Sequence, residues 1–368
     1  MTLYSLRTLR GQPFRLMFTI GGIALCILLM LFLASIYHGV REGSIEYIRA
    51  NATDLWVLQG SQTNILRGSS ILLTAHGQVL NQVEGVSAAT PVVFLLSTIK
   101  KSGRTSTVYL TGYDILAGTG GPPVISEGRS VLMEGEIVLD RSFAAKFGIN
   151  IGDSVMIRDC DLLVTGLSEG TNMFVIQYAF VTLSQAQALI GYPGLVSCYL
   201  VKVSRGFGVE KVSMEIKSEL PGVEVYQHEE FVGNNVREME SGFLPLLYAI
   251  AVIGAIVLTS ILSLILSMNV LERRKDFAVL KALGSPQRIL RRIIFTQSLT
   301  LGWSGCLAAF ALAGPLMGVV EFLAPEVSTR IGIGTLAAAF AAAGAMSFLS
   351  SCIAVRRLRS VYPLEVFQ

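Results

Sequence analysis

Four long stretches of the chain, residues 16–37, 243–270, 293–320 and 331–355, carry no Asp, Glu, Lys, Arg or His. They contain 22, 28, 28 and 25 residues. Each exceeds the roughly 20 residues a helix needs to cross about 30 Å of hydrocarbon. Buried helices of a soluble core do not need uncharged runs of this length, so the pattern predicts four membrane-spanning helices. The first run follows Arg7, Arg10 and Arg15, as a signal peptide would. Its apolar stretch is about twice the usual 7–15 residues of such a peptide, and Leu33-Ala34-Ser35-Ile36-Tyr37 offers no small-x-small cleavage site. It is read as an uncleaved span. Ahead of it, Leu3, Leu6 and Leu9 recur every third residue, which predicts a short amphipathic helix over residues 1–15 lying on the membrane surface.

Residues 38–242 follow another pattern: short apolar runs broken by Gly, Asp and Ser. They predict strands at 54–59, 92–99, 107–111, 136–139, 155–157, 162–166, 174–181, 196–203 and 223–227. Lys101-Ser102-Gly103-Arg104 reads as a hairpin turn. Helical periodicity covers 75–83 and 209–220, and each of these segments leads through a Gly-Val step, Gly85-Val86 or Gly222-Val223, into an extended run. The two strand–helix–strand units are expected to pair into one α/β layer, with residues 104–192 as a β-rich inserted lobe.

Composition agrees with a membrane protein: 52% of residues are hydrophobic and only 15% charged, against about 25% charged in ordinary soluble domains. A disordered chain, a collagen-like fibre and a plain cytosolic enzyme are excluded. The net charge of +3 hides an asymmetry. Residues 1–15, 271–292 and 356–368 hold 13 Lys and Arg against Glu272, Asp276 and Glu365, whereas residues 38–242 hold 15 basic and 21 acidic residues. Positive charge collects on the cytoplasmic side, so both termini and the 271–292 connection are placed inside, and 38–242 and the 321–330 loop outside. The predicted fold class is an α-helical membrane protein with four transmembrane helices and a large α+β extracytoplasmic domain inserted between helices 1 and 2.

Familiar catalytic chemistry is missing. Gly166-Leu167-Ser168-Glu169-Gly170 spells a nucleophile elbow, but a strand-like run rather than a helix follows it, and only His228 comes later as a base. Gly302-Trp303-Ser304-Gly305 resembles an intramembrane serine motif, yet His38, His76 and His228 all lie outside the spans. No His-Glu-x-x-His, Cys-x-x-Cys or phosphate-binding Gly-x-x-x-x-Gly-Lys sequence occurs. Five cysteines do not make a disulfide scaffold; a Cys160–Cys198 bridge is left open. No ionisable residue sits within a span, which argues against an autonomous ion-coupled carrier. Gly314 and Gly318, with eight alanines in the fourth span, predict close helix packing within the chain.

The 271–292 connection is the most informative. Phe277, Leu280 and Leu283 form one apolar stripe on a short helix, Gly284 can cap it, and Pro286 can open the next. Its Glu272-Arg273-Arg274, Ala278, Ala282-Leu283-Gly284-Ser285 pattern resembles the coupling loop of ABC transporter permeases of the FtsX-like, MacB and LolC/LolE superfamily. Ser5-Leu6-Arg7-Thr8-Leu9-Arg10 through Gly21-Gly22 is similar to that family's elbow helix and first span. Gly135 to Asp140, with Ala144 to Asp153, resembles its periplasmic core domain, and Arg356-Arg357-Leu358 to Glu365 its closing segment, with Phe367 where Leu is more usual.

The resemblance implies that Glu272, Arg273, Arg274, Phe277, Ala278, Leu280, Ala282, Leu283, Gly284 and Ser285 couple the chain to a separate ATPase. It implies two ATPase copies, which bind the ATP and Mg, and a second permease, identical or homologous, paired through the first and second spans. No cofactor is expected in this chain and no nucleic-acid partner; membrane lipids are expected partners, and a periplasmic membrane-fusion protein is left open. The implied layout is an elbow at 1–15, spans at 16–37, 243–270, 293–320 and 331–355, the core domain at 38–242 and a cytoplasmic tail at 356–368, all in the cell (inner) membrane. The implied function is efflux or extrusion of a hydrophobic or amphipathic substrate, the chain itself not being an enzyme. Activation of an external cell-wall hydrolase is the alternative.

Overall fold

The structure, a computed structural model, describes residues 13–51, 53–65, 70–101, 103–173, 176–272, 279, 286–323 and 332–358. The chain divides into two compact units, one of residues 1–38, 244–320 and 329–368, the other of residues 39–243 and 321–328. The expected elbow helix and most of the 271–285 segment lie outside the described residues.

Among the described residues, four helices are long and apolar enough to cross a membrane: α1 (Pro13–Ala50), α6 (His228–Glu272), α7 (Gln287–Leu323) and α8 (Ile333–Leu358). In the first unit they share an apolar core of Ile23, Ile27 and Leu31 from α1, Leu258 and Leu262 from α6, Leu301 and Ala309 from α7, and Ala343 from α8. Small and hydroxylated residues draw the helices together, as expected where lipid supplies no hydrophobic drive between them. Ser298 Oγ donates to the Ser347 carbonyl at 2.6 Å, and Ser350 Oγ to the Thr259 carbonyl at 3.0 Å. Trp303 stacks on Phe340 at 5.1 Å. A side chain on Gly302 would overlap Ser347 Oγ, and one on Gly305 would overlap Ile23. The packing glycines are therefore Gly302 and Gly305. Gly314 and Gly318, expected from their spacing to do this work within the chain, have nothing within 4 Å of their Cβ positions.

The second unit is an α/β domain built on one mixed sheet. Its strands are β1 (Leu55–Gln59), β3 (Val86–Lys101), β4 (Arg104–Tyr113), β5 (Val124–Gly128), β6 (Glu136–Asp140), β7 (Ser154–Ile157), β8 (Cys160–Glu169), β9 (Gln177–Thr182), β11 (Cys198–Val203) and β12 (Val223–Gln227). The order is β12-β1-β11-β3-β4-β9-β6-β8-β5, with β7 pairing β3 and β8. The β4–β9 and β6–β8 pairs are parallel and the others antiparallel. A small ladder joins β2 (Leu72–Leu73) to β10 (Leu195–Val196). The terminal strands β12, β1, β11 and β3 adjoin, as the flanking strand–helix–strand units suggest. Residues 104–192, however, form no separate lobe. The β3–β4 hairpin, in register from Val92↔Tyr113 to Lys101↔Arg104, carries them into the same sheet.

Alternation along the strands gives the sheet two apolar faces. Leu55, Val57, Ala179 and Val181 face one side with Val93, Ile137 and Leu139. Trp56, Leu58, Tyr178 and Phe180 face the other. The first face is covered by α2 (His76–Leu80), α3 (Arg141–Phe147), α4 (Leu183–Ile190) and α5 (Val209–Glu219), through Leu80, Phe143, Leu189, Val212 and Ile216. The second is covered by the ends of the two long helices, through Ile45, Tyr47 and Ile48 of α1 and Phe231, Val232 and Val236 of α6. Each of these large side chains gains about 1.5–3 kcal/mol on burial. The long helix ends thus belong to the domain core.

Candidate functional site

The segment expected to couple to an ATPase is only touched by the described residues. Glu272 ends α6 and is exposed; Val279 is helical and 41% exposed; α7 starts at Gln287, with Ile289 N–H donating to the Pro286 carbonyl at 2.9 Å. Arg273, Arg274, Phe277, Ala278, Leu280, Ala282, Leu283, Gly284 and Ser285 lie outside the described residues.

What the structure does define is how the two long helices are fastened to the sheet. Tyr47 is fully buried, stacked on Tyr178 at 4.6 Å and edge-on to Phe94 at 5.9 Å. Its hydroxyl donates to the Gly120 carbonyl at 2.7 Å. One turn later, Asn51 Oδ1 accepts the Gly120 N–H at 2.7 Å, while Asn51 Nδ2 donates to the Tyr47 carbonyl at 2.8 Å. Both backbone groups of Gly120 are thus held by the last turn of α1 and the residue that follows it. Its φ of +90°, which disfavours any side chain, lets the 114–123 connection present both groups to one helix.

The start of α6 is held in a matching way. Buried Asn235 accepts the Ile65 N–H at 3.1 Å through Oδ1 and donates to the Phe231 carbonyl at 2.8 Å. The Ile65 carbonyl takes the Tyr109 hydroxyl at 2.5 Å. Trp56, fully buried, stacks on Phe231 at 4.6 Å and donates its indole N–H to His228 Nδ1 at 3.4 Å. Arg41 of α1 and Glu240 of α6 form an ion pair at 3.5 Å. Burial pushes the Tyr47, Tyr109 and Tyr178 phenols well above their ordinary range, so they stay neutral: Tyr47 and Tyr109 donate hydrogen bonds, and Tyr178 serves as a packing surface.

Neither serine motif forms a catalytic site. Ser168 is fully buried in β8, its Oγ 2.8 Å from Thr171 Oγ1, which donates to Asp140 Oδ2 at 2.6 Å. Asp140 accepts from the backbone N–H groups of Ser142 and Phe143 and so caps α3; burial raises its carboxyl above the usual range against these bonds. The Ser168 cluster is a helix cap with its support. Ser304 donates to the Leu301 carbonyl of its own helix at 2.9 Å. Cys160 and Cys198 are both free thiols, one exposed and one buried.

The pattern did not foresee α3, α4, β5 or the short strand β2. Signals for the two helices are present in the chain, in Asp140 with Gly148 and in Thr182 with Gly191, an N-cap and a left-handed C-cap in each case. The anchors Tyr47, Asn51 and Asn235 carried no signal of their own, since the backbone groups they hold in the domain lie 69 to 170 residues away.

Comparison with known proteins gives a consistent result. Residues 16–219 match the MacB-like periplasmic core domain and residues 248–363 the FtsX-like permease C-terminal region. An uncharacterized ABC transporter permease of Mycobacterium tuberculosis is 26% identical over 99% of this chain and 98% of its own length. One from Methanocaldococcus jannaschii is 28% identical over 49% of this chain and 46% of its own. Among solved structures, the periplasmic region of MacB from Actinobacillus actinomycetemcomitans is 16% identical, with a TM-score of 0.39, over 50% of this chain and 92% of that one.

Proposed function

The chain belongs to the ABC transporter permeases that join a MacB-like periplasmic core domain to an FtsX-like permease region, and we propose that it is the membrane subunit of an exporter or extruder. In this reading the domain is inserted between the first and second spans and faces outward, and both termini are cytoplasmic in the inner membrane. Family membership implies an ATPase partner. That partner holds the ATP and Mg and contacts the 271–285 segment, with Glu272, Arg273, Arg274, Phe277, Ala278, Leu280, Ala282, Leu283, Gly284 and Ser285 forming the docking lever. Two permeases and two ATPases make the working unit.

The observation that supports the mechanical part is the continuity of α6. It is one helix from His228 to Glu272, 45 residues, or about 68 Å at 1.5 Å per residue. Its first turns carry Phe231, Val232 and Asn235 into the domain core, and its last residue begins the docking lever. The chain path from domain to lever is thus a single helix, with Pro245 inside it as the position where a missing backbone hydrogen bond permits bending. The cargo is a hydrophobic or amphipathic molecule, in keeping with a chain that has no ionisable residue inside its spans.

The test is Leu283→Asp in the full chain reconstituted with its ATPase. A charge in the docking contact costs several kcal/mol when buried and unpaired. ATPase association in pull-down is expected to fall, or hydrolysis to lose its coupling to transport. Wild-type association, hydrolysis and transport together would refute the lever. Mass spectrometry of the purified complex then separates the two outputs: a bound amphipathic molecule supports extrusion, and a stoichiometric cell-wall hydrolase supports signalling.

A further inference from the structure

At one end of the membrane unit, the first turns of α7 and the last turns of α8 frame an open cavity of about 770 Å³. Arg288, Arg291 and Arg292 line it from α7 and Arg356 from α8, over an apolar wall that includes Phe295 and Val355. No carboxylate is among its described lining residues. All four arginines are exposed, and they sit at the ends of uncharged runs, just before Ile293 and just after Val355. The cavity therefore lies where two adjacent spans meet the polar edge of the bilayer.

Helix stability does not account for this placement. The first turns of a helix carry a partial positive charge and disfavour cations, yet α7 begins with three arginines and no acidic residue in its first turn. Orienting the spans requires basic residues near their ends, but does not require that arginines of two helices share one cavity. A pocket lined both by guanidinium groups and by apolar side chains, where two spans end, matches a lipid: phosphate at the forks, acyl chain along Phe295 and Val355. A free phosphate would leave the apolar wall unused.

We propose that this cavity binds the headgroup of an anionic phospholipid, of the phosphatidylglycerol type. The assignment needs only that the chain is in a membrane and is independent of what the permease moves. The experiment is native mass spectrometry of the full chain, purified in mild detergent and given dioleoyl-phosphatidylglycerol, dioleoyl-phosphatidylcholine or millimolar inorganic phosphate. Wild type should retain phosphatidylglycerol at least about tenfold better than phosphatidylcholine, with the preference falling as salt rises. Arg288→Gln/Arg292→Gln/Arg356→Gln should lose most of that preference, and the corresponding Arg→Lys triple should keep more of it. Equal retention of the two lipids by wild type overturns the proposal without any variant. Unchanged phosphatidylglycerol retention in the Gln triple also overturns it, and loss of ATPase pull-down in that same triple would hand the arginines to the protein partner. Displacement of the lipid by inorganic phosphate alone would make this a free-anion site instead.

Discussion

The Tyr47 hydroxyl donates to the Gly120 carbonyl at 2.7 Å across 73 positions of the chain, and so ties the end of α1 to the connection that follows β4. With Asn51 on the Gly120 N–H, both backbone groups of that one residue are held, whereas Asn235 of α6 holds the Ile65 N–H and Tyr109 of β4 the Ile65 carbonyl. Tyr47→Phe keeps the ring stacked on Tyr178 but leaves the Gly120 carbonyl unpaired. The expected loss is about 1–3 kcal/mol, read as a lower unfolding temperature of the detergent-solubilised chain. Leu116→Ser in the same connection, at a residue 93% exposed, should stay within about 0.5 kcal/mol of wild type.

Packing between α1 and α7 depends on the missing side chain at Gly305. Gly305→Val would drive a branched side chain into Ile23 and Ala24, at a cost of about 1–3 kcal/mol or more. The yield of folded protein on size-exclusion chromatography should drop. Gly314→Val, where nothing lies within 4 Å of the Cβ position, should leave the fold of the chain intact. An equal collapse of both variants would contradict the assignment of packing roles.

Acid sensitivity of the domain should carry the signature of Glu136. Arg129 holds its carboxyl down to about 2, chiefly by hydrogen bonding and despite burial, with the Leu132 N–H donating at 2.9 Å as well. A depressed carboxyl stabilises the fold above its unfolded value of about 4.3 and loses that contribution as pH falls toward 2. Stability of wild type relative to Glu136→Gln should therefore be greatest and flat above about pH 5, and the gap should shrink progressively between there and pH 2. The measurement is the unfolding midpoint of both proteins across that range; a gap independent of pH would show that Glu136 acts by shape alone.

Topology has a direct chemical test. From the positive charge concentrated in 271–292 and the termini, and the acidic balance of 38–242, these segments are expected on opposite sides. A cysteine at Ser102 should react with membrane-impermeant thiol reagents in intact cells whose outer membrane, where present, has been permeabilised. A cysteine at Ser285 should react only after lysis. The reverse pattern would overturn the orientation.

Hydropathy alone is enough to locate the four apolar helices, because the cost of a charge in hydrocarbon forbids interruptions and leaves runs of unmistakable length. The strands β1, β4, β6, β11 and β12 were likewise readable near their observed bounds, since each is a short run whose alternate residues fill two opposed apolar faces. The sheet's order was not: β11 lies between β1 and β3, far from both in sequence, and β9 joins β4 in parallel across most of the domain. Nor could spacing tell which glycines pack. Gly314 and Gly318 have the expected interval, while Gly302 and Gly305 have the neighbours.

The sequence by itself determined which segments are apolar enough to span a membrane, where the basic residues gather and which family the coupling motif resembles, because these depend on composition within a local window. Only the tertiary structure decided that the ends of α1 and α6 close one face of the sheet, that Tyr47, Asn51 and Asn235 fasten them there, and that arginines of α7 and α8 share a cavity. Those outcomes rest on contacts between residues tens to hundreds of positions apart. Such contacts are set by which faces the whole chain can bury together, and no local pattern records them.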